Sequence, residues 1–247
     1  MPASNRSRPT HQTSNETFRL VPLGDSAITV EFGDEIDPTI NASAVAFARA
    51  VVDQRWNGIL DVVPTYRSVT IYYDALQWKS AALVDKLKTL PRRLPNDREW
   101  QGMLHEIPVL YGGEYGPDLS DVAAFARLSP AQAVTLHASI RYRVYMLGFS
   151  PGFPYLGLVS ERIAMPRLAT PRAKVQAGSL GIADRQTGIY PTTTPGGWRL
   201  IGRTPIRLYH KAGGNPFLLK AGDLVQFKPI DRAEFDRLSR EASRDDH

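Results

Sequence analysis

Residues 148–205 read GFSPGFPYLGLVSERIAMPRLATPRAKVQAGSLGIADRQTGIYPTTTPGGWRLIGRTP, and this stretch decides the fold of the second half of the chain. It holds nine Gly and seven Pro in 58 residues, and its only helix-like spacing is short. Gly and Pro at this density favour tight turns and short strands. The stretch therefore predicts a small β-barrel with elaborate loops.

Further strands and two helices are predicted on either side of this stretch. Strands at 105–110 and 141–147 precede it. The two helices between them are expected to begin at Asp118 and Ser129, and Asp118 is expected to cap the first of them. Ser129-Pro130-Ala131-Gln132 matches a capping box with Pro at the first helical position. Three short strands are predicted after it, at 206–209, 217–219 and 224–227.

The first part of the chain predicts a small α+β layer. Ile28, Val30 and Phe32 alternate with polar residues, which is typical of a half-buried strand at 27–32. Asp37-Pro38 is a start signal for a helix. Strands at 59–63 and 69–73 and a helix at 76–90 complete the order strand, strand, helix, strand, strand, helix. Such an order predicts helices on one face of a sheet.

The fold class is therefore α+β, with a small N-terminal α+β domain followed by a β-barrel domain. The segment PRRLPNDREWQ is proline-bearing, charged and non-periodic, as expected of a linker. The predicted divisions are a disordered lead-in at 1–17, the α+β domain at 18–90, the linker at 91–101, the barrel domain at 102–231 and a mixed-sign charged tail at 232–247.

Composition excludes several classes of function. The 247 residues include no Cys, which excludes disulfide scaffolds, thiolate nucleophiles and cysteine-ligated metals. The His residues lack metal-ligand spacing, so no metal site is expected. No apolar run of about 18 residues and no signal peptide are found, so we expect no membrane partner and a cytoplasmic location. The net charge is +5, but Lys and Arg are scattered, so no nucleic-acid partner is expected.

Residues 148–205 also carry the candidate binding residues. Seven Arg and Lys stand against two acids, and arginines beside Gly-rich turns can bind an anion through paired hydrogen bonds. The aromatic residues, Phe149 included, offer flat surfaces for a ring or a peptide. The candidate binding residues are Phe153, Tyr155, Arg167, Arg172, Gln186, Thr187, Tyr190, Gly196, Gly197, Trp198 and Arg203. The alternative is that the arginines are solvated and the aromatic residues form the barrel core.

Three of these arginines support a specific hypothesis. Arg167 and Arg172 flank the short turn in PRLATPR, each directly after a proline that fixes φ. Arg203 follows PGGW, whose two glycines allow a ligand to approach the backbone closely. We expect the three guanidinium groups to converge on one carboxylate or phosphate.

Few residues are candidates for catalysis. Residues 148–152 match the nucleophile pattern G-x-S-x-G, but Pro151 after Ser150 lacks the N–H that the oxyanion hole needs. His105, beside Glu106, is the candidate acid–base group, and a structural histidine is the alternative. His137 lies near a helix end, which favours a structural role. No G-x-x-x-x-G-K-[ST] occurs, so any ATP is not held by a P-loop of this chain.

The same stretch resembles a known family. The pieces PGFPYLG, PRLATPR, AGSLGIA, QTGIYP and PGGWRLIGRTP, in this order, are similar to the signature of the B subunit of bacterial 5-oxoprolinase. HEIPVLYGGEYGPDL and YRVYMLGF extend the resemblance upstream, and it spans about 18–230. The family includes the sporulation-kinase inhibitor KipI and was long described as allophanate hydrolase subunit 1. It is also similar to one half of the carboxyltransferase domain of urea carboxylase. Ser150 departs from the apolar residue that relatives often carry.

The resemblance implies a cyclophilin-like β-barrel domain without peptidyl-prolyl isomerase activity. It implies a chain that is inactive alone and acts with the A and C subunits of the enzyme, using ATP to open the lactam of 5-oxoproline to L-glutamate. Two alternatives stay open. One is a KipI-like inhibitor of a sensor histidine kinase. The other is a carboxyltransferase-like partner of a biotin-dependent enzyme, with biotin on another chain because Ala-Met-Lys-Met is absent here.

Overall fold

The structure is a computed structural model that describes residues 18–90, 102–210 and 216–244, and the side chains through 242. The predicted lead-in at 1–17 and the predicted linker at 91–101 lie outside the described residues. The division into domains therefore stays a prediction, while the individual helices and strands can be compared with the sequence directly.

The N-terminal part is a four-stranded antiparallel sheet with two helices, in the strand order β1-β2-β4-β3. Its elements are β1 Arg19–Pro22, β2 Ala27–Glu31, α1 Pro38–Asp53, β3 Ile59–Pro64, β4 Ser68–Tyr73 and α2 Ser80–Thr89. The predicted order of elements is confirmed. Helix α2 begins later than predicted, because the side chain and carbonyl of Asp74 bind the N–H groups of residues 76–78 in a separate turn.

Local sequence signals explain this layer. The Asp37 carboxylate accepts hydrogen bonds from Thr39 N at 2.7 Å and Ile40 N at 3.0 Å, which confirms the predicted start of α1. The inner face of the sheet packs against both helices, because apolar residues alternate along β2 and β4. The core comprises Ile28, Val30, Ala44, Phe47, Ala48, Val51, Val69, Ile71, Tyr73, Leu83, Leu87 and Leu90.

The second part is a closed barrel of seven strands in the order β10-β7-β6-β13-β5-β12-β9. Its elements are β5 Leu104–Tyr111, α3 Leu119–Phe125, α4 Pro130–Ala138, β6 Arg141–Leu147, β7 Pro154–Gly157, β8 Arg172–Val175, β9 Ser179–Ala183, β10 Gln186–Ile189, β11 Thr194–Gly196, β12 Arg199–Arg203, β13 Leu224–Pro229 and α5 Arg232–Arg244. Strands β8 and β11 form a separate two-stranded sheet. The predicted barrel of short strands and turns is confirmed.

Two strand predictions after residue 205 are wrong. Residues 206–209 and 217–219 form no ladder and share only an isolated bridge between Tyr209 and Phe217. Their apolar spacing serves a different purpose, because Leu208 and Leu219 are buried in the barrel core. The third predicted strand, at 224–227, is confirmed as part of β13.

Both predicted helix starts in the barrel half are confirmed, but the side chains that precede the two helices differ in their hydrogen bonds. Ser129 forms the full capping box with Gln132 at the start of α4, as predicted. Asp118 precedes α3, but its side chain makes no hydrogen bond to that helix, so its predicted capping role is wrong. The carboxylate instead accepts hydrogen bonds from Arg172 Nη2 and Leu200 N, two partners far away in the sequence.

The C-terminal residues include helix α5, within the segment predicted as a charged tail. Phe235 of this helix is buried, and its ring centroid lies 4.8 Å from that of Tyr115. Its exposed side chains carry both signs of charge, as in the ion pair between Arg237 and Glu234 at 2.7 Å. None of the helices in the described ranges has the length and apolar character that crossing a membrane requires.

Candidate functional site

A cavity of about 270 Å³ lies beside β7 and β11 and is referred to as the aromatic pocket. Its lining residues are Phe149, Phe153, Tyr155, Arg167, Pro171, Tyr190, Pro195, Gly196, Gly197 and Trp198. The structure thus brings together seven of the candidate binding residues: Phe153, Tyr155, Arg167, Tyr190, Gly196, Gly197 and Trp198.

The walls of the aromatic pocket are held by ring-to-ring packing. Phe153 is buried, with its centroid 4.9 Å from Tyr155, 5.2 Å from Tyr190 and 5.3 Å from Trp198. All three contacts are edge-to-face, a favourable arrangement that fixes the rings relative to each other. A Cβ at Gly196 would overlap the Tyr190 ring, so only glycine fits there. The pocket is therefore a rigid apolar surface.

Phe149 stands at the edge of the aromatic pocket in an unusual backbone conformation. Its φ is +62°, in the left-handed region that bulky residues rarely adopt, and its side chain is 63% exposed. The surrounding turn is closed by hydrogen bonds from Gly148 N to Phe153 O and from Phe153 N to Ser150 O. An exposed aromatic ring held in this way is a marker of a binding surface.

Arg167 is the cation of the aromatic pocket. Its side chain is exposed, and it forms no ion pair with any carboxylate of the described residues. Burial raises the pKa of Tyr66, Tyr155 and Tyr190. The positive charge of Arg167 lowers each of these pKa values, but its influence is smaller than that of burial. The three phenols therefore stay protonated at neutral pH, and two of them, Tyr155 and Tyr190, line the aromatic pocket together with Arg167. A guanidinium group beside neutral phenols suits the binding of an anion.

Tyr66 belongs to the N-terminal sheet and contacts the barrel next to the aromatic pocket. It lies in the turn between β3 and β4, and its hydroxyl oxygen accepts a hydrogen bond from Gln186 Nε2. Its ring centroid is 5.7 Å from Tyr145 and 5.8 Å from Tyr155. Gln186, a predicted site residue, thus lies at the junction of sheet and barrel. Sequence reasoning missed Tyr66, because nothing in a β-turn of one layer signals contact with the other.

The other two candidate arginines lie elsewhere. Arg172 Nη2 donates to Asp118 Oδ1 at 2.8 Å, and its Nη1 is buried without a hydrogen-bond partner. Arg203 Nε donates to Ala177 O at 2.8 Å, and its side chain lines a different cavity of about 320 Å³ next to α5. The structure does not bring the three guanidinium groups together, and Arg167 alone faces the aromatic pocket.

His105 and Thr187 also lie outside the aromatic pocket. His105 Nε2 is 3.1 Å from Asp223 Oδ2, which accepts a further hydrogen bond from Lys220 N, so this histidine connects the starts of β5 and β13. Thr187 is fully buried inside the barrel. Its hydroxyl donates to Gly181 O at 2.9 Å and lies 3.1 Å from His137 Nε2.

The structure gives no nucleophile or metal centre at this site. Ser150 Oγ is buried, and its turn joins the two strands β6 and β7 rather than a strand and a helix. The geometry that a nucleophile elbow requires is therefore missing. Within the described part of the chain, no group of three or more His, Asp or Glu side chains could hold a metal ion.

The profile of the family "carboxyltransferase domain, subdomain C and D" matches residues 18–219. This match covers most of the chain and agrees with a four-stranded sheet followed by a closed barrel. The chain therefore belongs to the carboxyltransferase subdomain C and D family. It is 41% identical to the B subunit of the 5-oxoprolinase of Bacillus subtilis over 236 residues, which cover 92% of this chain and 98% of that protein. Within the wider family, it is a member of the group of 5-oxoprolinase B subunits.

Solved structures agree with the fold. A conserved uncharacterized protein of Pyrococcus horikoshii is 44% identical, with a TM-score of 0.54 over 88% of this chain and 100% of that chain. The urea carboxylase of Kluyveromyces lactis is 20% identical, with a TM-score of 0.72 over 93% of this chain and 23% of that chain. The second likeness concerns the fold alone.

Proposed function

We propose that this chain is the B subunit of an ATP-dependent 5-oxoprolinase and that its aromatic pocket binds 5-oxoproline. One observation carries the site assignment: Arg167, exposed and without an ion pair to a described carboxylate, lines a cavity with rigid aromatic walls. The planar guanidinium group can bind the substrate carboxylate through two parallel hydrogen bonds. The flat lactam ring then packs against Tyr155 or Phe149, the more accessible rings of the pocket.

The chemistry explains why such a site needs no nucleophile of its own. An unstrained amide is a poor electrophile, so ATP transfers its terminal phosphoryl group to the lactam oxygen. Water then adds to the activated carbon, the C–N bond breaks, and the nitrogen takes a proton. A second water releases phosphate, which gives L-glutamate, ADP and phosphate. Charge develops on oxygen in these steps, and a fixed arginine and hydrogen-bond donors stabilise it.

The remaining machinery belongs to other chains of the complex in this proposal. This sequence has no P-loop, Ser150 Oγ is buried, and His105 is paired with Asp223 away from the aromatic pocket. The A and C subunits therefore supply ATP binding and the groups that move protons. This chain binds the lactam, orients it and excludes water from its ring face.

Reconstitution tests this proposal. The purified chain should release no glutamate from 5-oxoproline and ATP, and addition of the A and C subunits should restore ATP-dependent release. Turnover by this chain alone would overturn its assignment as one part of a complex. Failure to reconstitute, together with inhibition of histidine-kinase autophosphorylation, would favour the kinase-inhibitor alternative. Biotin-dependent carboxylation of urea with a biotin-bearing partner would favour the carboxyltransferase alternative.

The pocket assignment has its own test. Binding of 5-oxoproline should change the fluorescence of Trp198, which lines the pocket, and Trp198→Phe should abolish that part of the signal. The chain holds four Trp in total, so the variant identifies the contribution of this one. A 5-oxoproline-induced change that survives Trp198→Phe would place the ligand elsewhere.

A further inference from the structure

Tyr66 has an incomplete set of hydrogen bonds. A phenol has one hydrogen to donate and two lone pairs that accept. The Tyr66 oxygen accepts from Gln186 Nε2, and its own hydrogen has no acceptor among the described residues. Burial raises the pKa of Tyr66, so this hydrogen is retained at neutral pH. Because Tyr66 is only partly buried, this hydrogen is open to an acceptor from water or from a ligand.

The surroundings of Tyr66 specify the charge of that ligand. Arg167 is near enough to lower the pKa of both Tyr66 and Tyr155, although burial is the larger influence on each. No described carboxylate pairs with Arg167. The Tyr66 ring lies 5.8 Å from the ring of Tyr155, which lines the aromatic pocket. Arg167 and Tyr66 are therefore both neighbours of Tyr155, which forms one wall of the pocket.

We propose that Tyr66 of the N-terminal sheet completes the carboxylate site of the aromatic pocket by donating its hydroxyl hydrogen to the carboxylate that Arg167 binds. A carboxylate offers about four acceptor positions on its two oxygens, so it can receive a guanidinium group and a phenol together. Gln186 acts as a positioning residue, because its N–H fixes the Tyr66 oxygen and leaves the phenol hydrogen for the ligand. This inference rests on the proposed function.

The proposal has a consequence for specificity and for coupling between the two layers. An anionic oxygen group satisfies both Arg167 and Tyr66 and a neutral amide does not, so the carboxamide of 5-oxoproline should bind much more weakly than the acid. Because Tyr66 belongs to the β3–β4 turn, binding of the acid should also hold the N-terminal sheet against the barrel. Hydrogen exchange at residues 65–68 should therefore slow when 5-oxoproline binds.

Tyr66→Phe tests the proposal, because it keeps the ring contacts with Tyr145 and Tyr155 and removes only the hydroxyl. In the complex reconstituted with the A and C subunits, we expect KM for 5-oxoproline to rise about ten-fold or more, the usual effect of losing a hydrogen bond to a charged group. The kcat should change little. The matched control is Tyr72→Phe, on the exposed side of the same sheet, which should leave KM unchanged.

The ratio of acid to carboxamide binding separates a ligand contact from a structural role. Under the proposal, Tyr66→Phe lowers this ratio about ten-fold by weakening the acid alone, whereas a structural defect weakens both ligands equally. If Arg167→Ala lowers the ratio and Tyr66→Phe does not, the role of Tyr66 is overturned while the proposed function stands. If neither variant lowers the ratio, the proposed pocket assignment fails too. If Tyr66→Phe weakens ATP rather than 5-oxoproline, the assignment to a carboxylate is overturned.

Discussion

The polar groups inside the barrel can be compared with those at the aromatic pocket, because the two regions satisfy their hydrogen bonds differently. Inside the barrel, His137 uses both ring nitrogens, with Nδ1 2.9 Å from Tyr111 Oη and Nε2 3.1 Å from Thr187 Oγ1. The Thr187 hydroxyl in turn donates a hydrogen bond to Gly181 O. At the pocket, Arg167 has no described carboxylate partner and the hydrogen of Tyr66 has no described acceptor.

This difference distinguishes polar groups that stabilise the fold from polar groups that are available to bind a ligand. Polar atoms sealed in an apolar interior are mostly paired from within, since no water reaches them, and Arg172 Nη1 is an exception. Polar atoms at a cavity can remain unpaired, since water or ligand satisfies them. The bond between Arg172 and Asp118 belongs to the first kind, although Arg172 lies only five residues after Arg167. Proximity in the sequence is thus no guide to the role of an arginine here.

The largest effect is expected for Asp118→Ala. This carboxylate is buried and accepts from Arg172 Nη2 at 2.8 Å and from Leu200 N at 2.6 Å. Its loss leaves a largely buried guanidinium group and a buried backbone N–H without an acceptor. We expect the free energy of unfolding to fall by about 3 kcal/mol, the lower end for breaking a buried ion pair, in urea denaturation.

Asp121→Ala is the matched control for that substitution. Asp121 lies in α3, the helix that Asp118 precedes, but its side chain is 63% exposed and 3.8 Å from Arg199 Nη1. An exposed pair of this kind contributes about 0–1 kcal/mol. Equal losses of stability in the two variants would show that the buried pair has no special role.

Arg167 should behave in the opposite way, with a large effect on activity and none on stability. Arg167→Ala removes a charge-assisted hydrogen bond to the substrate, and we expect kcat/KM of the reconstituted complex to fall about ten- to a hundred-fold. Arg167→Lys should lose nearly as much, because an ammonium group lacks the planar fork. The melting temperature should stay unchanged, since the side chain is exposed.

Arg162→Ala serves as control for Arg167, because Arg162 is exposed in the same stretch and lies outside the aromatic pocket. It should keep full activity. A fall in melting temperature that accompanies every loss of activity in the Arg167 variants would mean that Arg167 holds the loop rather than the substrate.

The pH dependence of stability tests whether His137 is sealed inside the barrel. Burial lowers its pKa to about 3 from an ordinary value of 6.5. Below pH 6.5 the unfolded chain binds a proton that the folded chain does not, so stability falls as the pH falls. The slope is about 1.4 kcal/mol per pH unit, or about 2 kcal/mol between pH 6.5 and 5. Urea denaturation at several pH values measures this slope.

NMR can assign that slope to His137. Its ring Cε1–H signal should not titrate between pH 8 and 5, because burial holds its pKa at about 3. A titration of the His137 signal in this range would contradict the sealed interior and would place the source of the pH dependence elsewhere.

The sequence predicts most of the elements because their causes are local. Asp37-Pro38 caps α1 within its own first turn, and the Gly and Pro density of 148–205 specifies short strands wherever they lie. The errors have non-local causes. Asp118 looks like a helix cap, but its carboxylate binds Leu200 N, 82 residues later. Leu200 N lies next to Asp118 only when the barrel is closed, and local sequence patterns do not predict this long-range contact.

The same reasoning applies to the site. Aromatic, glycine and arginine residues of one contiguous stretch could be named in advance as pocket residues, because short β-turns bring such neighbours together. Tyr66 could not, since its partner Gln186 lies 120 residues away in the other layer. The glycines of PGGW predict that Arg203 joins Arg167 at one anion, but Arg203 of β12 lines another cavity. Composition thus identifies residues 148–205 as the binding region, whereas the fold determines which of their side chains line the aromatic pocket.

The smallest effect on stability is expected for substitution of Phe149, because its side chain is largely exposed. Phe149→Gly removes a side chain that is 63% exposed and places a glycine at a φ of +62°. Relief of the left-handed conformation contributes about 1 kcal/mol, and the greater freedom of glycine in the unfolded chain costs a similar amount. The free energy of unfolding should thus change by less than about 1 kcal/mol. Binding of 5-oxoproline should weaken about two- to ten-fold through loss of one aromatic wall, and Phe149→Tyr should retain it. A drop of several kcal/mol in stability with unchanged binding would show that this ring belongs to the core rather than to the pocket.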